Sequence, residues 1–263
     1  MALSTLGIVA VVYGITRAGD KADWTRADVL VALLGGLLAL AVFAVAERHT
    51  DHPALDVTLF RQAAFTAGAT VIALSFFSLL GLSFVASYYL QGVRAASPLH
   101  AGVLLLPAAI GLIAGSAIAP VLARSAGLRL VTAAGMLIVV AGQFSILWVG
   151  RNTATWAFEL PILASGLGQG LALAPATEAV MSAVPRERAG AGSAVNSTLR
   201  LIGIALGVAV LGSELTALVT HADDAFVSAM HAATACGGTV SLAGAVVAFV
   251  WLPGRRRPAM DRQ

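Results

Sequence analysis

Charge is what this chain of 263 residues has least of: Asp, Glu, Lys and Arg together make up 11% of it. A soluble domain carries roughly 25% charged residues to cover its surface, so a water-soluble globule is excluded. Cysteine is nearly absent too. The lone Cys236 lies in an apolar run, which leaves no internal disulfide and no cysteine-based zinc site; it reads as a small buried hydrophobe. No GxxxxGK[ST] phosphate loop occurs, and the stretch from Glu47 to His52 has the wrong spacing for an HExxH zinc helix. His49, His52, His100, His221 and His231 fall in loops or near segment ends, so neither Ser165 nor Ser193 has a base placed to activate it. The chain is therefore expected to be no enzyme, with no catalytic residue, no metal and no cofactor. Its net charge of +3 is spread over short loops and one terminal cluster, Arg255 to Arg257, which forms no basic groove. Nucleic acid is not an expected partner.

What is abundant is apolar surface. Hydrophobic residues reach 59% and the mean hydropathy is +0.89. A hydrocarbon core about 30 Å thick is crossed by roughly 20 helical residues. Eight segments qualify or nearly do: 2–16, 27–46, 64–90, 99–123, 128–149, 155–183, 190–215 and 229–252. The expected fold class is an all-α integral membrane protein of about eight transmembrane helices. The first segment is short of a full span, and no Lys or Arg precedes it as a signal peptide would require. It reads as a helix whose beginning is missing, so the chain is expected to be a fragment.

Positive charge in short loops sets orientation. Ten of the basic residues, among them Arg48, Arg61, Arg124, Arg129, Arg186, Arg188 and the tail arginines, fall on the side of the C-terminus; five fall opposite. The bias predicts a cytoplasmic C-terminus in the cell (inner, plasma) membrane. Tyr88, Tyr89, Trp148, Trp156 and Trp251 sit near segment ends, as headgroup-level anchors do.

Polar groups inside apolar segments are costly and carry the functional message. They are Gln143, Gln169, Glu178, Asn196 and Arg200, with Gln91 at the edge of the third span. Asn196, Arg200, Gly203 and Gly207 fall on one helix face. Its glycines mark close packing, so Arg200 is expected to point into protein or a wet cavity. Glu178 on the preceding segment lies within reach of Arg200 across a hairpin. Burying either charge alone costs several kcal/mol, so the two are expected to pair; an unpaired Glu178 facing a wet vestibule is the alternative. Gly166 and Gly170 form another close-packing row. Pro107, Pro161 and Pro175 interrupt apolar runs, as in the broken helices that line transporter cavities.

Three stretches carry a resemblance: Tyr88 to Gly111 (YYLQGVRAASPLHAGVLLLPAAIG), Gly166 to Gly212 (GLGQGLALAPATEAVMSAVPRERAGAGSAVNSTLRLIGIALGVAVLG) and Leu55 to Phe65 (LDVTLFRQAAF). Together they resemble the C-terminal half of the fourteen-span drug:proton antiporters of the major facilitator superfamily, the EmrB/QacA type. The resemblance covers residues 24 to 252. It implies two linker helices in residues 1–54, a six-helix C-terminal bundle in 55–254 and a basic cytoplasmic tail in 255–263. The N-terminal half, on the same gene or a separate chain, would be the missing partner, beside the lipid bilayer and a small-molecule substrate. The superfamily's loop signature, roughly GxLxDRxGRR, is degenerate here: in Pro120 to Arg129 (PVLARSAGLR), Gly127 and Arg129 match, but Arg124 stands at the acidic position.

The resemblance implies part of an ion-gradient-driven exporter, by proton antiport, of drugs or small amphipathic molecules. It offers Gln91 and Gln169 as substrate-path candidates and Asn196 and Arg200 for gating or packing; the cost of polar groups in lipid adds Gln143 to the first set and Glu178, as the partner of Arg200, to an intramembrane polar pair or gate. Pro107, Gly166, Gly170, Pro175, Gly203 and Gly207 would serve hinges and packing. The alternative is a non-transporting membrane scaffold, a remnant that packs with itself or a partner.

Overall fold

The computed structural model describes residues 2–21, 26–48, 57–150, 153–185, 189–218 and 223–254. The basic tail, the 1–54 boundary and Arg151, Arg186 and Arg188 lie outside them. Eight α-helices follow in order: α1 (Ala2–Lys21), α2 (Ala27–Arg48), α3 (Ala63–Tyr88), α4 (Pro98–Ala126), α5 (Leu128–Ser145), α6 (Thr155–Ser182), α7 (Ala189–Leu218) and α8 (Asp223–Trp251). No strand occurs among the described residues. α1 continues past Thr16 to Lys21, so the first helix is longer than its apolar stretch.

Among the described residues five helical stretches are long and apolar enough to cross a membrane: Ala63–Val93, Pro98–Ala126, Leu128–Trp148, Thr155–Ser182 and Val227–Trp251. In α1, α2 and α7 the apolar runs are shorter, Leu6–Ile15, Ala27–Phe43 and Val195–Leu211. In α7 the cause is local, since Ser193, Asn196, Ser197, Thr198 and Arg200 crowd its first turns. The outer surfaces of these helices are strongly apolar, with Leu99, Val103, Leu106, Ile110 and Ile113 of α4 all exposed. In water such a surface would aggregate; against lipid tails it is at home.

Local chemistry starts and stops the helices. Ser97 precedes α4 and its hydroxyl accepts from the His100 backbone N–H at 3.3 Å, with Pro98 in the first turn. This is the N-cap and N1 pattern, which satisfies one orphan donor and uses the proline where its missing N–H costs nothing. Between α4 and α5 the chain turns at Gly127, whose φ of 88° is open to glycine and strained for other residues. Two residues on, Arg129 donates to the carbonyls of Phe249 and Val250 and stands 4.7 Å from the Phe249 ring centre. It caps the last turn of α8, where free carbonyls and the helix dipole favour a cation. The two matching positions of the degenerate loop signature thus have structural duties.

α3 to α8 form one bundle whose packing ignores sequence order. α4 packs on α6, and α7 packs on α3; α5 packs on α6 and α8, and α8 on α3; α3 and α6 meet in the middle. Sequence neighbours α3 and α4, or α6 and α7, barely touch. Exchanging α3 with α6, α4 with α7 and α5 with α8 leaves this pattern unchanged, so the bundle is two interleaved three-helix units. Neither unit could bury its apolar faces alone. α1 packs along α2 and leans on α7.

Glycines set the closest approaches. A Cβ on Gly111 or Gly115 of α4 would strike backbone of Leu163 or Leu167 in α6, and one on Gly166 or Gly170 of α6 would strike Ala108 or Leu112 in α4. On the other side, Gly203 and Gly207 of α7 lie against the carbonyls of Ala73 and Phe77 in α3. Without a hydrophobic drive between helices in lipid, this backbone-level contact is a main source of association. Pro161 and Pro175 are buried in α6 and Pro107 is half-buried in α4, and both helices run on through them.

Candidate functional site

Among the described residues the two larger apolar clusters lie one toward each end of the bundle. One gathers Val85, Tyr89, Ile146, Phe158, Leu211 and Met230; the other Phe65, Ile72, Met136, Ala176, Val195 and Leu252. A polar seam lies between them at mid-helix. Gln143 of α5 donates from Nε2 to Ser78 Oγ of α3, and Ser241 Oγ of α8 donates to the same Ser78 Oγ at 2.9 Å. Gln169 of α6 donates from Nε2 to the Ser75 carbonyl at 3.0 Å, and Ser75 Oγ donates to Met136 Sδ at 3.3 Å. All of these side chains are buried, both glutamines to 1% exposure. The Oε1 atoms of Gln143 and Gln169 are buried with no protein partner. The seam ties four helices together through the two units' interior.

α3 presents a second face. Helical residues advance by about 100° each. Ser75 and Ser78 thus share the seam face, while Ala73 and Phe77 turn to α7. Phe76, Leu80, Ser83 and Ser87 fall on a stripe between the contacts with α6 and α7, and all four are half-buried. Ser83 lines a small cavity of about 10 Å³ with Leu79, Leu105, Ile162 and Ser165, room for about one water-sized group. The Ser165 hydroxyl is buried with no protein partner and lies against Gly142 of α5. At one end of the stripe Gln91 bonds Ser87 Oγ at 2.9 Å, in a π-helical turn, Tyr89–Val93, that closes α3. At the other end the Arg200 guanidinium of α7 stands 5.0 Å from the Phe76 ring centre. This is cation–π range, worth about 0.5–1 kcal/mol at an exposed site.

The polar residues singled out in the sequence thus separate. Gln143 and Gln169 meet in the seam; Gln91 and Arg200 flank the open stripe. Asn196 is half-buried on α7 with its Oδ1 enclosed and unpartnered. The expected ion pair does not form. Glu178 is exposed on α6, no salt bridge joins it to Arg200, and Arg200 turns to Phe76 instead. The reason is topological: α6 and α7 follow one another in sequence but pack on different helices. Tyr89 also departs from the headgroup-anchor reading. It is fully buried and its hydroxyl donates to the Gly150 carbonyl at 2.8 Å, whereas Tyr88, Trp148, Trp156 and Trp251 are exposed.

The seam serines and the cavity-lining Ser83 and Ser165 carry no mark in the sequence. A serine in an apolar helix often bonds its own preceding turn, as Ser83 does to the Leu79 carbonyl. Only the three-residue spacing of Ser75 and Ser78 on a common face hinted at more. Among the described residues no group of three His, Cys, Asp or Glu side chains could hold a metal ion.

Comparison with known proteins gives consistent results. The model of the family described as Major Facilitator Superfamily matches residues 1–208. The chain is 32% identical over 216 residues to the multidrug resistance protein Stp of Mycobacterium tuberculosis, covering 82% of this chain and 40% of that protein. It is 30% identical over 216 residues to the multidrug efflux pump LfrA of Mycolicibacterium smegmatis, covering 82% and 42%. With the methyl viologen resistance protein SmvA of Salmonella typhimurium the identity is 29% over 213 residues, covering 80% and 42%. The chain spans less than half the length of these three relatives.

Proposed function

Because the chain belongs to the Major Facilitator Superfamily, a superfamily of transporters and not of enzymes, we propose that α3 to α8 form one wall of an exporter for small amphipathic organic molecules. The relatives named for resistance to several drugs or to methyl viologen support that substrate class. The reading includes a facing N-terminal six-helix bundle, α1 and α2 as the linker pair of a fourteen-span chain, and a cytoplasmic C-terminus in the plasma membrane. Proton antiport is the drive, with the proton carried by the facing bundle: the two carboxylates described on α6, Glu159 and Glu178, are respectively half-buried and exposed, and neither lies in the seam.

The observation that carries the proposal is the open stripe of α3. It is apolar, punctuated by the hydroxyls of Ser83 and Ser87, and bounded by Gln91 and Arg200. Such a surface holds an amphipathic molecule by contact area, with a few polar groups to orient it. Gln143 and Gln169 act behind it as the tie that fixes helix register, and Gly166, Gly170, Gly203 and Gly207 supply the close-packed surfaces over which the units move. Pro107 and Pro175 are the hinges. Energised efflux of a cationic and neutral dye panel from cells carrying the complete gene is the test. Accumulation should fall relative to cells without it and recover when an ionophore collapses the proton gradient. Equal accumulation with and without the gene would refute the exporter reading.

A further inference from the structure

We propose that the end of the bundle where α4 and α6 begin holds a binding site for the phosphate of an anionic phospholipid. A cavity of about 540 Å³ opens there, lined by Arg94, Ala95, Ser97, His100 and Thr155 among others. Its lining offers a guanidinium, an imidazole and two hydroxyls, and no carboxylate. Glu159 lies one turn along α6 and is not part of the wall.

Arg94 is held in place. It donates to the Thr153 carbonyl and lies 5.9 Å from the Tyr89 ring centre. Tyr89 is fixed in turn by the Gly150 carbonyl, and Gly150 N–H donates to Thr153 Oγ1 at 2.7 Å. The loop returns through Ala96 N–H to the Leu90 carbonyl at 2.9 Å, with Ala95 in the left-handed region at φ 52°. A guanidinium already ordered by its neighbours loses less freedom on binding than a loose one. Its planar N–H fork suits phosphate oxygens, and such charge-assisted bonds are the stronger class.

The surroundings decide for a lipid over a free anion. The cavity sits at the ends of three helices long and apolar enough to cross a membrane, with the exposed indole of Trp156, a residue favoured at headgroup level, next to Thr155. On the stripe of α4 next to the lining residues His100 and Leu104, Leu99, Val103 and Leu106 run along the helix as an exposed apolar track. A ligand with an anionic head and an acyl chain meets both surfaces; inorganic phosphate meets only one. The site shares no residue with the α3 stripe and stands independently of the exporter reading.

The purified chain is examined by native mass spectrometry from micelles holding equal phosphatidylglycerol and phosphatidylcholine. Retained phosphatidylglycerol should exceed phosphatidylcholine by about tenfold, the scale of one well-placed charge interaction near a surface. Arg94→Gln should bring the ratio to parity. Because that change also removes a loop contact, Ala95→Asp and Ala95→Asn form the decisive pair. Both residues tolerate the left-handed backbone, so Ala95→Asn should keep the preference and Ala95→Asp should abolish it. Equal preference in the two Ala95 variants overturns the site. So does displacement of half the phosphatidylglycerol by inorganic phosphate at an equal concentration, which would show a free-anion site to which the acyl chain adds nothing.

Discussion

On α3, Ser75 and Ser78 turn into the bundle, while Ser83 and Ser87, two to three turns farther along, stand on a half-open face. The residue types are the same and the helix is the same. What differs is the company. Ser78 meets Gln143 and Ser241 from two other helices, and the whole group is shut away from lipid and water. Ser83 bonds only its own preceding turn, at the Leu79 carbonyl, and lines a space of one water's size among apolar side chains. A polar group with every neighbour fixed holds helices in register. A polar group beside an opening is available to something that comes and goes. The fold separates these roles by angle around one helix.

The largest effect is expected from removing the frame that both faces share. Gly166→Leu would drive a side chain into the Ala108 backbone of α4. Overpacking costs about 1–3 kcal/mol and more where backbone is struck, so the monodisperse peak in detergent chromatography should be lost. Gly102→Leu, at an exposed glycine of α4 with open space around it, should leave the peak intact. The next effect should touch the open face alone. Ser83→Thr adds one methyl group beside the cavity, on the scale of its volume, and efflux should fall by on the order of tenfold, the scale of one misfitting group in a pocket, at an unchanged melting temperature. The seam should answer in the opposite sense. Interhelical hydrogen bonds in membranes average about 0.6 and reach about 1.7 kcal/mol, and Ser78→Ala removes a junction of two of them. Its melting temperature should drop, with efflux per folded molecule unchanged. Gln91→Ala should do least: the side chain is exposed and holds only Ser87, so stability should stay within about 0.5 kcal/mol. Efflux should change for some dyes and not others, since the group orients a ligand at the end of the stripe.

The helices were legible because lipid demands long apolar runs, and their ends fell within a few residues of the expected bounds. α1 and α8 were the exceptions: α1 outlasts its apolar stretch and ends in polar residues through Lys21, and α8 begins at Asp223, six residues before the expected start. The glycine rows were legible as close-packing surfaces, but not their partners. Gly166 and Gly170 meet α4, two elements back in sequence, and Gly203 and Gly207 meet α3. The same interleaving defeated the Glu178–Arg200 pair, which rested on hairpin neighbours lying side by side. Gln143 and Gln169 were legible as costly polar groups. Whether such a group looks into a seam or a path depends on its angle relative to partner helices, and a single sequence carries no such angle. The serines were hidden for another reason: a hydroxyl can be satisfied by its own helix, so its presence in an apolar run costs little and signals little.

The contrast between the faces of α3 is tested most directly by cysteine accessibility. In a Cys236→Ser background, single cysteines at Phe76, Leu80, Ser83 and Ser87, and separately at Ser75, Ser78 and Leu82, are exposed in membranes to a water-soluble maleimide, with and without an exported dye. The account predicts labelling at the first set, slowed by the dye, and none at the second. Labelling of Ser75 and Ser78 positions as fast as Ser83, or dye protection confined to the seam, would contradict it.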